Sequence, residues 1–147
     1  MLLAAGKTFF VHSHESYDTI CKVLHDLPGS TGEAIKYLMQ WRKKKVEELA
    51  EDIRCSPKTI QRLRNGETTR PGLQLMIAIC IGLWLPIDIS ILLLSITRND
   101  YLREKEFLVY KKLIEIAYEK HLTFDHCNEM LKSGTPDVPL LGNDMDL

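Results

Sequence analysis

An all-α fold is predicted for this chain, and three observations predict it. Apolar residues recur at i, i+3, i+4 and i+7 in successive segments between Tyr17 and Lys132. The segments are parted by helix-start and helix-stop residues, among them Pro28-Gly29, Ser56-Pro57, Gly66 and Gly134. Only Thr8-Phe9-Phe10-Val11 has the composition of a strand, and nothing else in the sequence offers it a partner. With 147 residues, 45% of them apolar, the chain can bury one ordinary core. The expected organisation is an N-terminal arm over 1–30, a compact helical domain over 31–99, a helical hairpin over 100–135 and a flexible tail over 136–147.

In order, Tyr17, Ile20, Leu24 and Leu27 form the inner face of a short helix that ends at Pro28-Gly29. Thr31 is placed to cap a helix running to about Lys43, with Ile35, Leu38 and Met39 inward and Trp41 packed beside a basic run, Arg42 to Lys45. Leu73 to Ile96 is mostly apolar and long enough to cross a membrane. Gln74, Asp88 and above all Leu85-Pro86 argue instead for two buried helices, and no membrane span is expected. The apolar content of this region, Trp84 and Leu92 to Leu94 included, exceeds what one small core needs and predicts a surface for a partner. Arg103 to His121 carries Phe107, Tyr110, Leu113, Ile114 and Ala117 on one face. Thr123 caps a last helix, Phe124 to Lys132, ended by Gly134.

The most informative stretch is Val46 to Gly66. Its first half places Val46, Leu49, Ala50 and Ile53 on one side, with Glu47, Glu48, Glu51 and Asp52 away from them and near the helix start. Arg54-Cys55 breaks the pattern. Ser56-Pro57 then restarts it with a side-chain acceptor for a free N–H and a proline preset for the first helical position. In the second helix, Lys58, Gln61, Arg62 and Asn65 share one stripe, opposite Ile60 and Leu63. No acid occurs between Ser56 and Asn65. Such a stripe has the donors and forked groups that contact base edges and phosphates.

Charge distribution agrees. The chain as a whole carries −1, yet from Thr31 to Gly72 ten basic residues face six acidic ones. A basic segment in an otherwise acidic chain suits a surface that faces double-stranded DNA. Cys21, Cys55, Cys80 and Cys127 are widely spaced and form no CxxC, and Met1 to Gly6 is too short for a signal core, so reduced thiols in a cytoplasm are expected. His12 with His14, and Cys21 with His25, have ligand-like spacings, but without a further pair no metal and no cofactor is predicted. Gly6-Lys7-Thr8 ends like a phosphate-binding loop but lacks its first glycine and a preceding strand. No zinc-protease motif, nucleophile elbow or paired carboxylates are found, so an enzyme is not expected.

Leu49-Ala50, Ser56, Ile60 and Gly66 fall at matching positions of the lambda-repressor-like family, also called xenobiotic-response-element-type regulators, and the sequence resembles that family from about Thr31 to Asn99. The resemblance implies a five-helix helix-turn-helix domain. Carried over by position, base reading falls to Pro57, Lys58 and Arg62, with Gln61 close by, and a phosphate contact falls to Asn65. Lys43, Lys45, Thr59, Arg64 and Arg70 stand where further phosphate contacts are expected. Three positions depart from the pattern: Val46 replaces a frequent glutamine, Arg54 the turn glycine, and Lys43-Lys44-Lys45 the usual entry. The segments after Asn99 look like helical extensions found in proteins of bacterial mobile elements. The function implied is a dimeric, sequence-specific transcriptional regulator. The alternative is a protein-interaction module on the same scaffold, antitoxin-like or a regulatory tail, with Leu73–Ile96 or the C-terminal helices as its surface.

Overall fold

The computed structural model describes residues 15–141. Eight α-helices and one 3-10 turn make up the regular structure of that span, with no strand among the described residues. Thr8 to Val11, Gly6-Lys7-Thr8, His12 and His14 lie outside it.

Helix α1 (Tyr17–Asp26) starts at Ser16, whose Oγ accepts the Thr19 amide at 3.2 Å. Its inner residues are Val23 with Ile20, Leu24 and Leu27. Tyr17, expected inward, is 80% exposed, because the helix rests on Val23, which falls between the other apolar positions. Helix α2 (Thr31–Trp41) buries Ala34, Ile35, Leu38 and Met39. Thr31 is not its cap. It is the first helical residue, and its hydroxyl meets that of Thr97 at 2.8 Å, so it joins α2 to α6. Helix α2 also stops two residues short of Lys43, which turns left-handed with φ 56°.

Helix α3 (Val46–Asp52) is held at its start by Glu48, whose carboxylate accepts the Lys45 amide at 2.8 Å. Helix α4 (Pro57–Arg64) begins with Ser56 Oγ accepting the Thr59 amide at 3.3 Å and with Pro57 at the first position. Gly66, with φ 78°, ends it. Helices α3 and α4 pack on one another, α4 packs on α2, and Leu49, Ile53, Ile60 and Leu63 meet in a single core.

Leu73 to Ile96 divides as its proline predicts, into α5 (Leu73–Gly82) and α6 (Ile87–Thr97). No helix among the described residues is long and apolar enough to cross a membrane. Helix α5 is buried all round, at Leu73 and from Leu75 to Ile81, which marks a central core helix. The apolar surplus of this region is spent inside the chain: α1 and α7 lie on α6, and α7 and α8 lie on α5. Trp84, read as part of a partner surface, donates its indole N–H to the Leu122 carbonyl at 3.2 Å and stands edge-on to His121 at 4.7 Å. Leu93 and Leu94 are fully buried.

A 3-10 turn (Asn99–Arg103) follows, fixed by the Arg98–Asp100 fork (3.0 and 2.7 Å) and by Tyr101, whose hydroxyl bonds the Pro71 carbonyl. This turn delays the next helix, expected from Arg103, so that α7 spans Phe107–Lys120. Helix α8 (Phe124–Gly134) begins with Thr123 Oγ1 accepting the His126 amide at 3.1 Å. The flexible tail expected from residue 136 is docked as far as Leu141. Asn128 brackets Leu141 with two hydrogen bonds of 2.7 and 2.9 Å, Leu141 is 1% exposed, and the Tyr110 hydroxyl donates to the Pro139 carbonyl at 2.7 Å.

Candidate nucleic-acid interface

The outward face of α4 follows from its inward one. Ile60 and Leu63 are 0% and 1% exposed, and a helix pinned at those two positions must turn Lys58, Gln61, Arg62 and Asn65 outward. All four are exposed, as is Pro57. Among the described residues the side chains of Lys58, Gln61 and Arg62 have neither a hydrogen-bond nor an ion-pair partner. Asn65 caps the helix end and reaches Glu67 at 3.4 Å. Thr59 is half-buried, with its hydroxyl 3.2 Å from Ser56 Oγ, so it supports the cap.

What holds α4 at this angle lies on two neighbours. Gly32 is required on α2: a Cβ there would sit 2.6 Å from the Arg64 carbonyl oxygen. On the other side Arg54 sits in the turn between α3 and α4 with φ 58°. The departure from glycine is therefore met by strain and not by a different turn.

The basic run separates into two pairs. Lys43 and Lys45 are exposed. Arg42 and Lys44, the other two residues of the run, turn inward. Arg42 donates to the Leu83 carbonyl at 2.7 Å, to the Trp84 carbonyl, and to Glu15 at 2.6 and 3.3 Å. Glu15 also accepts from the Tyr118 hydroxyl at 2.7 Å. Burial works against the Glu15 carboxylate, but the bonds from Arg42 and Tyr118 and the charge of Arg42 hold its pKa below the ordinary value. Lys44 is tied to Asp52 at 2.5 Å and to the Gly82 carbonyl at 3.2 Å. Consecutive residues at a helix end point in different directions, which a linear run of charges does not reveal.

Arg70 is exposed but lies 3.8 Å from Asp100, already held by Arg98, so its charge is partly met within the chain. Arg64 is half-buried and lines a groove between α2 and α4 together with Lys36, Gln40, Lys45 and Gln61. Lys36 and Gln40 were not singled out from the sequence. Their i, i+4 spacing on α2, opposite Ile35 and Leu38, is the signal that marks them as one polar stripe.

A short capped helix, a tight turn and a second helix with an unpaired basic stripe define a helix-turn-helix nucleic-acid-binding fold. Residues 34–83 match the family described as the Cro/C1-type HTH DNA-binding domain. This segment, from the first turn of α2 to just past α5, is thus a DNA-binding domain of that family. Comparison of the chain with curated proteins and with solved structures gave no match.

Proposed function

We propose that the protein is a sequence-specific DNA-binding transcriptional regulator in which α4 enters the major groove. The observation that carries this reading is the exposed, acid-free stripe on α4, in which the side chains of Lys58, Gln61 and Arg62 have no partner among the described residues, within a DNA-binding domain of the Cro/C1 type. Lys58 and Arg62 are assigned to bases, Pro57 to close approach at the groove floor, and Gln61 to the edge between bases and backbone. Lys43, Lys45, Arg64 and Asn65 are assigned to phosphates. Arg70, shared with Asp100, is a weaker phosphate ligand, and Thr59 acts by fixing the start of α4.

One domain of this size binds weakly, so the regulator is proposed to act as a homodimer on half-sites about one helical turn apart, in the cytoplasm. The C-terminal helices offer an apolar surface for this: Leu108 is 73% exposed and borders a groove with Val109, Ile116 and Met130. Such a surface equally suits a protein-interaction module, the second reading. Salt separates the two. Binding through several phosphates weakens steeply as salt rises, and an apolar interface does not. Selection of genomic fragments by the full-length protein tests the first reading: enrichment of a short, two-fold related sequence is expected, and recovery of unrelated fragments contradicts it.

A further inference from the structure

A cavity of about 290 Å³ lies where the end of α5 meets the link between α7 and α8. Ile81, Trp84, Leu122 and Phe124 give it apolar walls, and Lys44 and Asp52 supply its charges. None of the residues assigned to DNA lines it. Two features of the lining select positive charge. Helix α5 ends here, and the last carbonyls of a helix carry partial negative charge. The Gly82 carbonyl accepts from Lys44 Nζ at 3.2 Å, and those of Leu83 and Trp84 accept from Arg42. The Lys44 ammonium also sits 2.5 Å from the Asp52 carboxylate and 5.5 Å from the centroid of the Trp84 ring. A carboxylate, a carbonyl and an indole face around one ammonium make a built cation site, filled by the chain's own side chain. The Asp52 side chain is 46% exposed, so the site is open to solvent and the flexible lysine can leave it.

The backbone around the cavity is strained. Lys43, Arg54, Trp84 and His121 are the left-handed non-glycine residues among the described ones, and each lines the cavity or stands within two residues of one that does. A tryptophan in that conformation is costly, and such strain gathers where a site needs its walls fixed.

We propose that this cavity binds a small organic cation with an apolar body, of the alkylammonium or arylammonium class. The charged head takes the place of Lys44 Nζ between Asp52, the Gly82 carbonyl and the face of Trp84. The body lies against Ile81, Leu122 and Phe124. A volume near the lower end of ligand pockets suits a small molecule, and the carbonyls and Asp52 turn away an anion. The inference does not rest on the DNA-binding reading, and its failure leaves that reading standing.

The test titrates the full-length protein with benzyltrimethylammonium, and with benzyl alcohol and phenylacetate as its uncharged and anionic counterparts, at fixed ionic strength. The Trp84 indole N–H resonance is the local readout. Benzyltrimethylammonium should shift that resonance, leave Trp41 unmoved and bind with a dissociation constant on the order of 1 mM or tighter. Both counterparts should bind at least about tenfold more weakly. Lys44→Met, which removes the competing ammonium, should tighten the cation about tenfold, and adding Asp52→Asn in that background should reverse the gain. Equal binding of all three probes would show an apolar hollow without charge selection, and tightest binding of phenylacetate would show Lys44 recruiting an anion. Either result overturns the proposal. So does weaker cation binding in Lys44→Met, a shift at Trp41 in place of Trp84, or no binding to the wild type. Binding confined to Lys44→Met would mark Lys44 as a permanent plug and overturn it as well.

Discussion

Arg54 and Asp125 join the recognition unit to the C-terminal helices. Arg54 occupies the left-handed region in the α3–α4 turn, and its guanidinium grips the Asp125 carboxylate at 2.8 and 2.6 Å, 71 residues along the chain. Both side chains are largely exposed, so the pair adds little stability. Its position matters more, since it anchors the turn that aims α4. Two variants separate backbone from side chain. Arg54→Gly and Arg54→Ala both lose the pair, but only alanine keeps a Cβ in a left-handed conformation. Arg54→Gly should be the more stable by about 1 kcal/mol, measured by chemical denaturation.

The Glu15–Arg42–Tyr118 cluster predicts an acid-side weakness. Glu15 has a folded-state pKa below its ordinary value. Its stabilising contribution is therefore complete above the ordinary glutamate pKa, about 4.3, and is lost as pH falls through the lowered value. Thermal unfolding should show the wild type losing stability below about pH 4. Glu15→Gln should start less stable at neutral pH and lose less on acidification. Arg42→Ala, which strips donors from Glu15 and from the Leu83 and Trp84 carbonyls, should cost about 1–3 kcal/mol.

Two glycines are predicted to differ. At Gly32 an added Cβ would meet backbone, the Arg64 carbonyl oxygen at 2.6 Å, and backbone cannot step aside. At Gly82 it would meet Ile53 Cγ2 at 2.6 Å and Leu49 Cδ1 at 2.8 Å, both side-chain ends able to shift. Gly32→Ala should cost about 2–3 kcal/mol and also weaken DNA binding by displacing α4, whereas Gly82→Ala should cost less. Denaturation midpoints and DNA titrations on the same variants check both.

Much of the recognition unit was legible in the sequence because its determinants are local. The caps Ser56 and Thr123, the proline at the head of α4, the glycine at its end and the inward Ile60 and Leu63 act within a few residues of themselves. At Arg54 the missing glycine left two outcomes open, a left-handed residue or a different turn, and the structure has the first. The left-handed residues Lys43, Trp84 and His121 could not be read from the sequence, because none is a glycine or stands where a glycine was expected. Nor could the inward turn of Arg42 and Lys44, whose partners, Asp52 apart, are Glu15, Gly82, Leu83 and Trp84, 27 to 42 residues away. The surplus of apolar residues in α5 and α6 was visible, but what covers it, α1, α7 and α8, is a matter of tertiary packing.

The docked segment after α8 carries its own prediction. Asn128→Ala removes both hydrogen bonds to Leu141 and should cost about 1–2 kcal/mol. Leu141→Ala, at a residue 1% exposed, should cost about 2 kcal/mol. A chain ending at residue 135 should lose at least as much as either, with the unfolding midpoint as readout.

The central claim is that the stripe on α4 reads sequence. Its most direct test is the affinity ratio between a selected duplex and a random one, for wild type and Arg62→Ala, at a single physiological salt concentration. Arg62→Ala should lose about 1–3 kcal/mol on the selected duplex, relax the preference at one base pair and change little on the random one. Equal loss on both duplexes, or none on either, would contradict the assignment of α4 to the bases.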